Sequence, residues 1–189
     1  MRLALPPAAT CSGGVHDGSF AVMDKRFLVE QLAERLRESA QVARKAGQTA
    51  AVEAREGATP AEKREDARVA LEQGALAKGQ ADRAARVASE LTTLDVFHPV
   101  RFPPAGAVAL GAVVEVEVEL DEGGTQGRTF FLAPVGAGIE LTGPGGDGFL
   151  SVVTPQSPIG RAVMGKRVGD TVEVTVQNEV REWTITFVA

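Results

Sequence analysis

The sequence predicts an α+β protein in which an antiparallel helical hairpin precedes a β-sheet domain with one short helix. Apolar and small residues recur in steps of three and four over residues 24–95, which is the period of an amphipathic helix. The period changes to two after Ala107, as in half-buried strands. A short capped helix is predicted among the strands, between Ser157 and Gly165.

The composition is that of an ordinary water-soluble protein with a small acidic excess. Charged residues make up 24% and hydrophobic residues 44% of the 189 positions, and the formal net charge is −5. This charge disfavours non-specific nucleic-acid binding over the whole surface. The only cysteine, Cys11, excludes an internal disulfide and a cysteine-based metal site. No apolar run approaches the roughly 20 residues of a membrane helix, so we expect a cytoplasmic protein with no membrane partner.

Residues 1–22 are rich in proline, alanine and glycine and have no hydrophobic period. We interpret them as a disordered tail, or as the product of a start codon assigned upstream of a true start at Met23. An export signal is the alternative. Its apolar region would be short and interrupted by Pro6 and Pro7, which is unfavourable for a signal peptide.

The hairpin is predicted over residues 24–95. Its first helix runs to about residue 55 and is rich in alanine, leucine, glutamate, glutamine and arginine, which favour helix. The predicted seam of this helix consists of Leu28, Leu32, Leu36, Ala40, Ala43, Ala46, Ala50 and Ala54. Near the far end the seam is mostly alanine, with Gly47 and with Gly74 of the second helix. Such small residues bury less area than the leucines near the base, so we expect the far half to be less stable.

The second helix is predicted to begin at a capping box. Thr59 is the cap, Pro60 takes the first helical position and Glu62 the third, where its carboxylate can accept the orphan N–H of Thr59. The predicted seam consists of Leu76, Gln80, Ala84, Val87, Leu91 and Leu94. Because the connection is short, the two helices must be antiparallel, with a tip near residues 57–66. A rod of this length, about 48 Å, suits a tip that must reach a distant site.

Residues 96–106 are predicted to be a linker and residues 107–189 a sheet domain of about five strands. The predicted strands lie near residues 108–120, 128–134, 149–153, 171–177 and 181–188. In the short helix, Ser157 is predicted to cap, Pro158 to take the first position and Gly165 to end the element. A nucleophilic role for Ser157 is disfavoured because the sequence around it is not Gly-x-Ser-x-Gly. The local pattern therefore indicates a docking turn.

Three acids at the predicted tip could have a chemical role. Glu62, Glu65 and Asp66 are spaced i, i+3 and i+4, so they share one face of a helix. Carboxylates at the end of a rod can share a Mg²⁺ ion with another protein, since Mg²⁺ seldom obtains all its ligands from one short motif. The alternative is that Glu62 is only a cap and the other two are solvated surface.

The run Ser-Pro-Ile-Gly-Arg-Ala at 157–162, followed by Gly165-Lys166 and Val168-Gly169-Asp170, is similar to the FKBP-like C-terminal domain of the Gre (GreA/GreB) transcription elongation factors. The resemblance extends over residues 24–189, because this family places an antiparallel coiled-coil hairpin before that domain. Leu71-Glu72-Gln73 and Gly79-Gln80 are similar to the usual sequence of the second hairpin helix.

The resemblance implies a partner and a mechanism. Gre factors dock at the mouth of the RNA polymerase secondary channel, and the hairpin enters the channel. The implied docking residues are Ser157, Pro158, Ile159, Gly160 and Arg161. The tip acids Glu62, Glu65 and Asp66 would help hold the second Mg²⁺ of the polymerase and a water molecule while the polymerase cleaves the 3′ end of backtracked RNA. The implied factor is a monomer that binds no cofactor alone and is not itself an enzyme.

The tip sequence leaves other functions open. The family tip reads Asp-x-x-Glu-Asn-Ala-Glu/Asp-Tyr; here Glu62 matches the second acid and Thr59 replaces the first. One alternative is a regulator that occupies the secondary channel without promoting cleavage. Another is a peptidyl-prolyl isomerase using the FKBP-like fold. That fold has an aromatic pocket, whereas this chain has no tyrosine and one tryptophan.

Overall fold

A computed structural model describes six stretches of the chain, residues 25–56, 65–103, 106–119, 124–143, 148–176 and 179–189. They form two long helices, a six-stranded sheet and a short third helix. The predicted α+β class is confirmed. The predictions for residues 1–22 and for the capping box at 59–62 lie outside the described residues.

The two long helices, α1 (Arg26–Glu56) and α2 (Glu65–Asp95), pack side by side and antiparallel. The start of α1 meets the end of α2, and farther along Arg83 Nη2 donates a hydrogen bond to Ser39 Oγ at 3.3 Å. None of the described helices is long and apolar enough to cross a membrane.

The predicted seam is correct at the base of the helix pair and shifts along its length. Leu28, Leu32 and Leu36 are buried, as predicted. Ala46 and Leu76 are exposed, so their assignment to the seam was wrong. The predicted place of Gly47 in the seam is confirmed, since an added Cβ would lie 3.3 Å from the Cβ of Gln80. Gly74, also predicted there, is exposed and has no atom within 4 Å of an added Cβ, so its assignment to the seam was wrong.

In the described residues the sheet has six strands, one more than predicted. They are β1 (Val113–Glu119), β2 (Thr125–Leu132), β3 (Glu140–Thr142), β4 (Phe149–Val153), β5 (Thr171–Val176) and β6 (Glu179–Val188), in the order β3-β4-β2-β1-β6-β5. Among the strands that the structure describes, only the β2–β4 pair is parallel. The three residues of β3 are too few to show an alternating pattern, so no pattern in the sequence predicts this edge strand.

Both faces of the sheet are covered, because successive side chains of a strand point to opposite faces. Val114, Phe130 and Val153 belong to a cluster that includes Val163 of the third helix, α3 (Pro158–Val163). Their neighbours Val113, Phe131 and Val152 lie in the second cluster, with leucines of the helix pair. The sheet is therefore the layer that joins α3 to the base of the helix pair.

One exposed glycine gives a stability prediction. Gly74 lies inside α2, and a Cβ added there would meet no atom within 4 Å. We expect Gly74→Ala to raise the free energy of unfolding by about 1 kcal/mol, because alanine loses less backbone entropy in a helix. Urea denaturation measures the change. A lower free energy of unfolding in the variant would contradict the packing described here for α2.

Candidate functional site

The turn that begins α3 is built around the side chain of Ser157. Its Oγ accepts a hydrogen bond from the Gly160 N–H at 3.0 Å and donates one to the Thr154 carbonyl oxygen at 2.8 Å. Ser157 has the extended backbone of an N-cap, and Pro158 follows as the first helical residue. The predicted cap is confirmed. The hydroxyl proton of Ser157 is directed to a carbonyl, which is a structural use of this side chain.

Gly160 is required by the closeness of the preceding chain. It is buried, and a Cβ built on it would lie 2.0 Å from the Thr154 carbonyl oxygen and 3.0 Å from Ser157 Oγ. The first contact is with backbone that continues directly from β4, so a rotamer change cannot relieve it. The turn therefore has this shape only with glycine at position 160.

The other end of α3 is held by Val108, which lies five residues before β1. The Gly165 N–H donates to the Val108 carbonyl oxygen at 2.8 Å, and the Val108 N–H donates to the Lys166 carbonyl oxygen at 2.7 Å. Gly165 has φ +77°, the positive value predicted for the residue that ends this helix. Both ends of α3 are thus held by backbone contacts outside the helix.

The five predicted docking residues divide by exposure. Pro158 and Arg161 are exposed, Ser157 and Ile159 are half-buried and Gly160 is buried. Ile159 packs against the cluster on the α3 face of the sheet. Two side chains are therefore fully available to a partner, while Ser157 and Gly160 determine the shape of the turn.

The predicted grouping of the tip acids lies outside what the structure describes. Glu62 lies outside the described residues, and Glu65 and Asp66 form the start of α2. Among the described residues, no three histidine, cysteine, aspartate or glutamate side chains are grouped so that they could hold a metal ion. The role of these acids therefore stays a prediction.

Gln31, for which no sequence pattern predicts a role, joins α1 to the edge strand β3. Its Nε2 donates to the Thr142 carbonyl oxygen at 3.0 Å, and its Oε1 accepts from the Thr142 N–H at 3.1 Å. The side-chain amide thus takes both backbone positions that a neighbouring strand would occupy. A glutamine separated by 111 residues from its partner gives no local signal in a sequence.

The first described residue, Lys25, connects the start of α1 to the linker. It is 6% exposed, its Nζ donates to the Val100 carbonyl oxygen at 3.1 Å, and Nζ lies 4.4 Å from the ring centroid of Phe102. Desolvation by burial lowers the pKa of Lys25 from 10.5 to about 8. Near neutral pH the amine is still charged, and its burial against the linker costs desolvation free energy.

This pKa predicts how stability changes with pH. Between about pH 8 and 10.5 the unfolded chain binds a proton that folded Lys25 has released, so the contribution of Lys25 to stability rises as the pH is raised. We expect the free energy of unfolding of the wild type, minus that of Lys25→Met, to increase by about 2 kcal/mol from pH 7 to pH 10. Urea denaturation at both pH values measures this difference, from which groups common to both proteins cancel. An unchanged difference would show that the Lys25 amine titrates normally.

Comparisons with known proteins agree on one family. Residues 103–189 match the family model described as transcription elongation factor, GreA/GreB, C-terminal. The chain is similar to transcription elongation factor GreA of Mycobacteroides abscessus, with 39% identity over 77 residues. This match spans 40% of the chain and 42% of that relative, so the aligned part is about two fifths of the relative's length.

Matches to solved structures have lower identity and TM-scores below 0.5. GreA factor homolog 1 of Thermus thermophilus is 21% identical, over 83% of this chain and 94% of that chain, with a TM-score of 0.35. GreA/GreB from Nitrosomonas europaea is 20% identical, over 59% of this chain and 79% of that chain, with a TM-score of 0.34.

Proposed function

Because residues 103–189 belong to the GreA/GreB family of transcription elongation factors, we propose that this chain binds RNA polymerase at its secondary channel and promotes cleavage of backtracked RNA. The family match over the C-terminal domain is the observation that carries the proposal. The matched region contains the whole α3 turn. The resemblance first noticed in the run 157–162 is thereby confirmed for the family.

The α3 turn has properties suited to docking. Its backbone is held at both ends by hydrogen bonds, so little conformational entropy is lost when a partner binds. Exposed Pro158 and Arg161 give it a rigid apolar side chain and a cation. Arginine can donate two parallel hydrogen bonds to a carboxylate, so we expect an acidic segment of the polymerase to face Arg161. In this proposal the sheet with α3 is the FKBP-like docking domain of the family.

The helix pair supports the reach that the proposal requires. Side chains of α1 join the core shared with the sheet as far as Ala40. From Ala40 to Glu56 the helix continues for 16 residues, or about 24 Å at 1.5 Å per residue. In the proposal this pair is the coiled-coil hairpin, and its tip enters the polymerase channel.

The chemistry is assigned to the polymerase, with ligands supplied by the tip. A Mg²⁺ ion of the polymerase active site supplies the Lewis acid that activates water against the RNA phosphodiester. Glu62, Glu65 and Asp66 would provide carboxylate oxygens to that ion and would orient the attacking water near the RNA 3′ end. The chain would then act in trans on a reaction of its partner, without an active site of its own.

The test is a cleavage assay on halted, backtracked elongation complexes. We expect purified chain to release short fragments from the RNA 3′ end and to restore elongation when nucleotides are added. If the chain binds the polymerase but no fragments are released, the chain is instead a regulator that occupies the channel without promoting cleavage. No binding at all would exclude both.

A further inference from the structure

We propose that Gln31 is a positioning residue that fixes the direction of the helix pair relative to the docking domain, and so determines where the tip lies when the domain is docked. The consequence for the tip rests on the proposed function. The juxtaposition itself, the amide of α1 against the backbone of the edge strand β3, does not depend on it.

Two hydrogen bonds to one residue restrict rotation more strongly than one. Both bonds of Gln31 go to backbone atoms of Thr142, so the contact has a fixed orientation as well as a fixed distance. Thr142 pairs with Phe149 of β4, so β3 is itself held within the sheet. Gln31 is half-buried, which reduces the competition from water for these bonds.

Contacts on both sides of Gln31 act on the same segment of α1. One residue later, Leu32 is fully buried and lies against Gly136, where an added Cβ would come within 2.6 Å of Leu32 Cδ1. Six residues earlier, Lys25 donates to the linker at Val100. The apolar contact gives adhesion between α1 and the sheet but little directional preference, since dispersion is non-directional. Of these three contacts, the Lys25 bond goes to the linker, and the Gln31 amide gives the directional contact between α1 and the sheet.

The length of α1 amplifies any rotation at its base. The 25 residues from Gln31 to Glu56 extend about 38 Å, so a rotation of 5° at Gln31 moves the far end by about 3 Å. A displacement of about 1 Å can reduce a reaction rate by about 100-fold when a reacting group must be aligned. Loosening this contact should therefore lower the effect of a docked molecule while leaving docking intact.

Distance measurements on the full chain test the structural part without the polymerase. Cys11 is replaced by serine, and spin labels are attached to exposed positions on α1 and β5 through Gln48→Cys and Glu173→Cys. We expect Gln31→Met, which keeps the length of the side chain but removes both hydrogen bonds, to broaden the distribution of distances between the labels. An unchanged distribution in a variant that is folded by circular dichroism overturns the proposal.

Gln31→Glu supplies a rescue that a general packing defect would not show. An ionised carboxylate can accept from the Thr142 N–H but cannot donate to the Thr142 carbonyl oxygen, whereas a protonated one can do both. We expect a broad distance distribution at pH 7.5 and a narrower one at about pH 4.5, close to the ordinary pKa of glutamate. Wild type and Gln31→Met, measured at both pH values, control for other effects of acid. A distribution in Gln31→Glu that is equally broad at both pH values overturns the proposal.

The consequence for the tip is tested in the cleavage assay over a range of factor concentrations. We expect Gln31→Met to reduce the plateau rate by about 10-fold or more with less than a twofold change in the half-saturating concentration, since the α3 turn is untouched. A wild-type plateau with broadened distances overturns the positioning role. If the wild type itself has no effect on the polymerase, the proposed function fails, and the distance measurements alone decide whether Gln31 directs the helix pair.

Discussion

We expect Gly160→Ala to lower the free energy of unfolding by about 3 kcal/mol and to weaken binding to RNA polymerase by about 10-fold or more. The added methyl group would stand 2.0 Å from the Thr154 carbonyl oxygen, so the turn must open. Opening separates the Gly160 N–H from Ser157 Oγ and moves the exposed Pro158 and Arg161. Urea denaturation and a polymerase binding titration measure the two effects.

Two control variants separate this effect from a general intolerance of alanine. Gly127 lies in β2 with no atom within 4 Å of an added Cβ, so Gly127→Ala should retain polymerase affinity. Ser157→Ala removes the cap but adds no clash, and it should cost about 1 kcal/mol. A Gly160→Ala protein as stable as the wild type would show that the approach of residue 160 to Thr154 is not tight. If Gly160→Ala opens the turn and the affinity for RNA polymerase is unchanged, the docking surface is not at α3.

The second large effect is expected at the tip. Glu62→Ala and the double variant Glu65→Ala/Asp66→Ala should each slow cleavage of backtracked RNA by about 100-fold, the scale of loss when groups that tune a catalytic metal are removed. Binding to the polymerase should change little, because the proposal assigns docking to the α3 turn and not to these acids. The cleavage rate at saturating factor and the half-saturating concentration measure the two quantities separately.

Glu53→Ala is the matched control, since Glu53 is an exposed acid near the same end of α1. With this variant, the polymerase should cleave backtracked RNA at the rate that it reaches with the wild type. If all the tip variants also cleave at that rate, the assignment of Glu62, Glu65 and Asp66 is wrong and the activating ligand lies elsewhere. If Glu62→Ala leaves the cleavage rate unchanged and the double variant abolishes cleavage, the functional acids are Glu65 and Asp66.

The elements that the sequence predicted well are those specified within a few residues of the chain. The cap by Ser157, the positive φ at Gly165 and the leucine seam at the base of the helix pair are all confirmed. Each depends on local rules: hydrogen-bonding groups at helix ends, the absence of a Cβ in glycine, and the period of a helix. The family resemblance rested on the same local run at 157–162.

The features that the sequence missed depend on residues far apart in the chain. The strand β3 is too short to show a period, and it is identified only because β4 pairs with it. The helical period assigned Ala46 and Leu76 to the seam, but the line along which α1 and α2 meet leaves both exposed.

The sequence by itself determined most element types, the capped turn of α3 and the resemblance of its C-terminal part to the GreA/GreB family, because those depend on residues within one turn or one strand. Only the tertiary structure decided how the two parts are held together. The Gln31 amide binds Thr142, 111 residues away in the chain. Residue 136 must be small because Leu32 of α1 lies against it. Such contacts exist only after the chain has folded, since no local pattern encodes which distant residue will supply the partner.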